Sequence, residues 1–280
     1  MKQVLSSDNT IKSFDSTNIH YIKDIPQKSK AVIVIVHGFS EHLGRYESVK
    51  DKFNEYGYAV YRYDVRGHGM SGGKKGYIQD FNHFIIDNDI IIDLINKENS
   101  NLPIFMMGYS MGGFIAACYG VKYGKKINGQ ILSSAATMQP SFTKGIKGLL
   151  IRTLNHFYSD FKITTNFLNF FLSKKDKIKV VDMDELTLKE SRLNLHVEFL
   201  IKGTKWLNNN LHNYNLPCLL IHGEKDRLIR KETAEKFHKK ISSNDRQLKI
   251  YNDLSHEIFN NTYQNRILDD MNMWISERLY

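Results

Sequence analysis

Gly108-Tyr109-Ser110-Met111-Gly112 has the spacing Gly-x-Ser-x-Gly, and Gly113 follows it. The string stands between an apolar run over 102–107 and the helical pattern of 111–123. Small residues at both flanks let a chain turn sharply from strand to helix. The serine oxygen is then held exposed on a strained elbow, with the Met111 N–H turned toward a reacting carbonyl. A serine hydroxyl is a poor nucleophile near neutral pH until a base takes its proton. Behind such an elbow the acid comes next in the chain and the histidine last. His256 lies in a short loop after the run 247–251 and before the final helical pattern, so it is the expected base. Asp226, in the loop leaving the run 216–221, is the expected acid, able to fix the tautomer of the histidine and stabilise the imidazolium. Asp253, Asp182 and Asp184 compete for that role. His222 ends a strand pattern beside a glycine, which suits a structural use, and His156, His196, His212 and His238 are expected to face solvent.

His37-Gly38-Phe39 closes another apolar run, Ala31 to Val36, about seventy residues before the elbow. A loop there can supply the Phe39 N–H as a second oxyanion donor beside that of Met111. The incidental alternatives are a strand-ending turn and a glycine-rich turn that happens to hold a serine.

The elements that must position these groups alternate along the chain. Continuous apolar runs at 31–36, 58–63, 102–107, 130–133, 216–221 and 247–251 have the character of strands buried on both faces. Amphipathic patterns at 44–56, 81–96, 111–123, 231–241 and 263–278 fit helices between them. The first 25 residues, with a turn at 15–18, predict an antiparallel pair at the sheet edge. From 141 to 212 no strand pattern appears. Some 70 residues is far longer than a usual crossover, so this stretch is expected to form a helical insertion over the C-terminal edge of the sheet, where ligand crevices lie. The division expected is a core of 1–140 and 213–280 with a cap of 141–212.

At 280 residues the chain can bury roughly 75% of the surface its unfolded form exposes. It needs no disulfide to hold a polar site rigid, and Cys118 and Cys218 read as buried small hydrophobes. No run approaches the ~20 apolar residues that cross a bilayer. The first ten residues lack the apolar core of a signal peptide, so a cytoplasmic protein is expected. No metal or cofactor is called for by these motifs.

His-Gly-Phe-Ser-Glu-His-Leu-Gly-Arg-Tyr, Tyr-Asp-Val-Arg-Gly-His-Gly-Met-Ser-Gly-Gly, Gly-Tyr-Ser-Met-Gly-Gly, His-Gly-Glu-Lys-Asp-Arg-Leu-Ile and Leu-Ser-His-Glu-Ile-Phe-Asn occur in this order from residue 37 onward. On these motifs the chain resembles the monoacylglycerol lipase/lysophospholipase family. The resemblance implies an α/β-hydrolase fold: a mostly parallel eight-stranded sheet flanked by helices, with a cap between strands 6 and 7. It implies hydrolysis of an ester carrying one fatty acyl chain, through Ser110, Asp226 and His256 with Phe39 and Met111 as oxyanion donors. Glu41 and Arg45 match positions that bind the glycerol headgroup, and Tyr109 and Phe259 are expected beside the substrate. Phe39 stands where the family has a small residue, and Phe259 where mammalian-type members have a second histidine. Asp184-Glu185-Leu186 replaces the Asp-Pro-Leu late in many family caps.

A broad carboxylesterase, thioesterase or peptidase would use the same machinery, and a catalytically silent binding module is the alternative outside enzymes. The chain carries a net charge of +9. Residues 141–180 hold eight Lys or Arg against two Asp, together with seven Phe or Tyr. Basic and aromatic residues together fit a cap that rests on an anionic membrane; a solvated cap packed on the core is the plainer reading. No recognition motif for nucleic acid accompanies the charge.

Overall fold

The computed structural model describes residues 4–165, 184–259 and 263–279, apart from the Phe142 side chain. Ten strands run through it: β1 (Val4–Lys12), β2 (Asn18–Pro26), β3 (Ala31–Val36), β4 (Tyr58–Tyr63), β5 (Ile104–Tyr109), β6 (Gly129–Ser133), β7 (Lys162–Thr164), β8 (Glu190–Arg192), β9 (Cys218–Gly223) and β10 (Arg246–Tyr251). Eight form one sheet in the order β1-β2-β4-β3-β5-β6-β9-β10. β1 pairs with β2 and β2 with β4 antiparallel, and all other pairs are parallel. This is the mostly parallel eight-stranded sheet that the resemblance implies, and its parallel strands lie at the six continuous apolar runs.

Burial on both faces follows from that continuity. Val32, Val34 and Val36 of β3 enter one core layer, and Ala31, Ile33 and Ile35 enter the other. The first layer lies against α2 (Asn82–Glu98) and α3 (Met111–Tyr123), the second against α1 (Glu47–Glu55). α3 is buried at ten of its thirteen positions, as a helix apolar all round must be.

Between β6 and β9 come α4 (Gly145–Tyr158), the short antiparallel pair β7–β8, α5 (Leu193–His196), a π-helical turn at Val197–Gly203, and α6 (Thr204–Asn210). This pair corrects the expectation of an insertion without strands. Its strands are three residues long, too short to write a period-two pattern. Phe167, Phe170, Phe171, Lys174, Lys175, Asp176, Lys177, Lys179 and Asp182 of the basic, aromatic stretch lie outside the described residues. α7 (Glu232–Lys240) and α8 (Gln264–Ser276) complete the chain order. α7 has acids in its first turn and His238, Lys239 and Lys240 in its last, which suits the helix dipole. α8 adds Ile267, Leu268 and Met271 to the second core layer.

β5 and β9 run two residues beyond their apolar runs. Ser110 therefore leaves the sheet directly, and Asp226 lies three residues past the end of β9.

Candidate active site

Ser110 sits between β5 and α3 with φ 53° and ψ −113°. A non-glycine residue held there costs on the order of 1–3 kcal/mol, so its surroundings must fix it. Ser110 N donates to Ser133 O (3.0 Å), and Ser110 O accepts from Phe114 N and Ala136 N (both 3.1 Å). The turn also needs its glycines. A Cβ on Gly108 would stand 2.4 Å from Gly112 O, and one on Gly112 2.1 Å from Val36 O. The second approach presses the start of α3 against the end of β3. The loop bearing Phe39 is thus next to the turn bearing Met111, and neither N–H donates to another protein group among the described residues.

His256 Nε2 lies 3.1 Å from Ser110 Oγ, and Nδ1 lies 2.7 Å from Asp226 Oδ2. With Nδ1–H donating to the carboxylate, Nε2 is left to accept the serine proton. The other oxygen of Asp226 accepts from Leu228 N and Ile229 N, both at 2.9 Å. Burial pushes the Asp226 carboxyl up, but the His256 charge, hydrogen bonds from His222 and His256, and the Ile229 N–H hold it well below the usual carboxylate range. Burial likewise lowers His256, and it is outweighed by Asp226 and then by the charges of Glu257 and Glu41, so the imidazole stands above its ordinary value.

His222 takes the structural part expected of it, and His196 takes one that the sequence did not disclose. His222 is buried, with Nε2 2.7 Å from Ile229 O and 3.3 Å from Asp226 Oδ2. It braces the acid loop from beneath. His196, expected in solvent, is instead half-buried in the cavity wall, 2.7 Å from Ser191 Oγ and with its ring 5.4 Å from that of Phe39. Burial pushes His196 down to about 4, so it is a neutral group there. The π-helical turn that follows it, a geometry frequent at functional sites, adds Phe199 and Leu200 to the same wall.

Above Ser110 and His256 opens a cavity of about 1180 Å³. Phe39, Met138, Phe199, Leu200, Leu228 and Ile229 give it apolar walls. Glu41, Arg45 and Tyr109 line it as well. Glu41 Oε2 accepts from Gly38 N and Tyr46 Oη, both at 2.8 Å, so this carboxylate also shapes the loop of Phe39. Tyr109 Oη donates to His256 O at 3.1 Å, supporting the histidine from below. Phe259 does not reach the cavity. It packs behind Tyr109 at 5.9 Å and beside Tyr46 at 6.3 Å, filling core where the sequence suggested substrate contact. Met111 is fully buried and could offer only its N–H.

The cap is tied to this loop. Asp184 Oδ2 meets His42 Nε2 at 2.7 Å and accepts from Thr187 Oγ1 at 3.0 Å, while Leu188 N donates to Ser40 O at 2.9 Å. Asp253, another competitor for the acid, pairs with Lys225 in solvent. Among the described residues no group of three His, Cys, Asp or Glu could hold a metal ion. A serine, a neutral imidazole and a carboxylate in this relay, beneath an apolar cavity, can carry out acyl transfer to serine and then to water.

A model of the family described as serine aminopeptidase, S33, matches residues 27–263. The chain is 28% identical to a monoacylglycerol lipase of Mycolicibacterium smegmatis, with 89% of each chain covered. It is 29% identical to a phospholipase of Bacillus subtilis over 82% of this chain and 89% of that one. In three dimensions it superposes on a thermostable carboxyl esterase of Bacillus coagulans, solved with glycerol, with a TM-score of 0.84, 19% identity and coverage of 99% and 100%.

Proposed function

The chain belongs to the serine aminopeptidase, S33, family, and from that premise we propose that Ser110, His256 and Asp226 hydrolyse esters carrying a single fatty acyl chain. The protein is a carboxylic ester hydrolase. Ser110 Oγ attacks the ester carbonyl as His256 Nε2 takes its proton, and the N–H groups of Phe39 and Met111 receive the oxyanion. The alcohol leaves with the proton from His256, and water attacks the acyl-enzyme by the same path in reverse. The observation that carries this reading is the relay of 3.1 Å and 2.7 Å at the foot of an apolar cavity. The monoacylglycerol lipase and phospholipase relatives support a lipid ester as substrate.

Peptide cleavage from a free amino terminus is the second reading, because the family description names it. The cavity argues against it. An ammonium group needs a carboxylate, whereas seven Lys or Arg and only three Glu line the walls.

The cap offers a surface that meets lipid. On α4, Ile146 is 86% and Phe157 is 71% exposed, with Leu149, Leu150 and Leu154 between them, and Lys147 and Arg152 stand on the same helix. An apolar helix face with flanking cations lies in the interface of an anionic bilayer. No helix among the described residues is long and apolar enough to cross a membrane.

The substrate reading is tested with 1-oleoylglycerol, 4-nitrophenyl butyrate and leucine 4-nitroanilide. Cleavage of the long-chain ester is expected, and Ser110→Ala should lower kcat by on the order of 10⁶. Turnover of the short ester without any of the long one would remove the lipid reading, and turnover of the anilide alone would replace it with a peptidase.

A further inference from the structure

One wall of the cavity carries charge that acyl transfer does not use. Lys144 before α4, Lys205 on α6, Arg227 and Arg230 in the loop after Asp226, and Lys236 and Lys240 on α7 all line it. Cavity-lining positions 232, 233, 236 and 240 share one face of α7, so Lys236 and Lys240 stand one turn apart. Like charges at that spacing repel, and helices favour them only where something opposite in sign compensates.

Glu232 stands one turn before Lys236 on that face, yet neither lysine forms an ion pair among the described residues. Five of the six cations form no ion pair among the described residues, and Arg230 reaches Glu232 only at 3.9 Å. The same loop shows that pairing is otherwise the habit here. Lys225 and Lys231 do not line the cavity, and they bind Asp253 at 2.9 Å and Glu224 at 2.8 Å. Arg227 and Arg230, between them in sequence, line the cavity, and only Arg230 has a carboxylate within ion-pair range, Glu232 at 3.9 Å. Of the three glutamates lining the cavity, Glu41 is already engaged by Gly38 N and Tyr46 Oη. Leu228 and Ile229 lie between the two arginines and present apolar surface to the same space. This wall therefore suits an amphiphile with an anionic group. Guanidinium and ammonium donors together are the usual means of holding a phosphate.

We propose that this wall is a phosphate-binding subsite. The substrate it selects is an acyl ester bearing a phosphate monoester, in preference to the uncharged monoacylglycerol. The proposal rests on the ester-hydrolase reading above and sharpens it.

The test compares 1-hexanoylglycerol with 1-hexanoyl-glycerol-3-phosphate, both kept monomeric so that the basic cap cannot gather substrate at an interface. The quantity read is the ratio of kcat/KM for the phosphate ester to that for the neutral ester. In the wild type the ratio should exceed about tenfold. Each of the double variants Arg227→Gln/Arg230→Gln and Lys236→Gln/Lys240→Gln should lower it about tenfold, since exposed charge pairs contribute a fraction of that factor each. Raising salt from 50 to 500 mM should shrink the wild-type ratio as the charges are screened. A wild-type ratio near one, or a ratio unmoved by salt and by both variants, overturns the subsite. Hydrolysis of neither ester would defeat the ester-hydrolase reading itself, whereas cleavage of both at equal rates defeats the subsite alone.

Discussion

Asp226 and His256 show how a single side chain is tuned by its neighbours. Asp226 receives four donors, from His256, His222, Leu228 and Ile229. His256 faces two further carboxylates, Glu257 and Glu41, whose charges favour the imidazolium. The base must be neutral to take the serine proton, so kcat/KM should rise with pH through a value above that of a free imidazole. Glu257→Gln removes one of those charges. The expected outcome is a shift of the acidic limb to lower pH, read from a kcat/KM profile. An unmoved or upward-moving limb would contradict this electrostatic account. The residues of the relay were legible in the sequence because order and local context name them. His222 was legible as a structural residue from its place at a strand end, whereas His196 was not, because its packing against Phe39 joins positions distant in the chain. His196 meets Phe39 and Ser191, and neither contact is written in its immediate neighbours.

Among the elements, the parallel strands and the helices between them could be read from apolar runs and periodicity, since each pattern extends over several residues. The β7–β8 pair could not, and Phe259 shows the same limit at one position. A motif placed it beside the substrate, and packing against Tyr46 and Tyr109 drew it into the core. The segment 184–188 is where cap and core meet. Asp184 grips His42, and Leu188 N binds Ser40 O, so the loop of Phe39, Glu41 and Arg45 is clasped from above. Asp184→Ala releases that clasp. We expect kcat/KM for a long-chain ester to fall about tenfold, near 1.4 kcal/mol, the size of one partly buried charged hydrogen bond. Thermal unfolding should hardly move. A large drop in Tm with unchanged kinetics would mean that Asp184 serves the fold and not the site.

For the molecule as a whole, the sheet and the cavity describe an ester hydrolase, and the cap with the net charge of +9 supports our proposal that it works where lipid and water meet. In that proposal the exposed apolar face of α4 orients the protein on the bilayer. Anionic vesicles should therefore co-sediment the protein at low salt and lose it at high salt, and Ile146→Ser/Phe157→Ser should weaken the binding severalfold. Absence of binding at low salt would remove the interfacial role of the cap. Everything above depends on Ser110 being the group that is acylated, and a fluorophosphonate probe followed by peptide mass spectrometry reads this directly. One adduct should appear on the peptide containing Ser110, at a rate that falls with protonation of His256, and Ser110→Ala should take up none. An adduct on another residue, or equal labelling of the variant, would contradict the account at its centre.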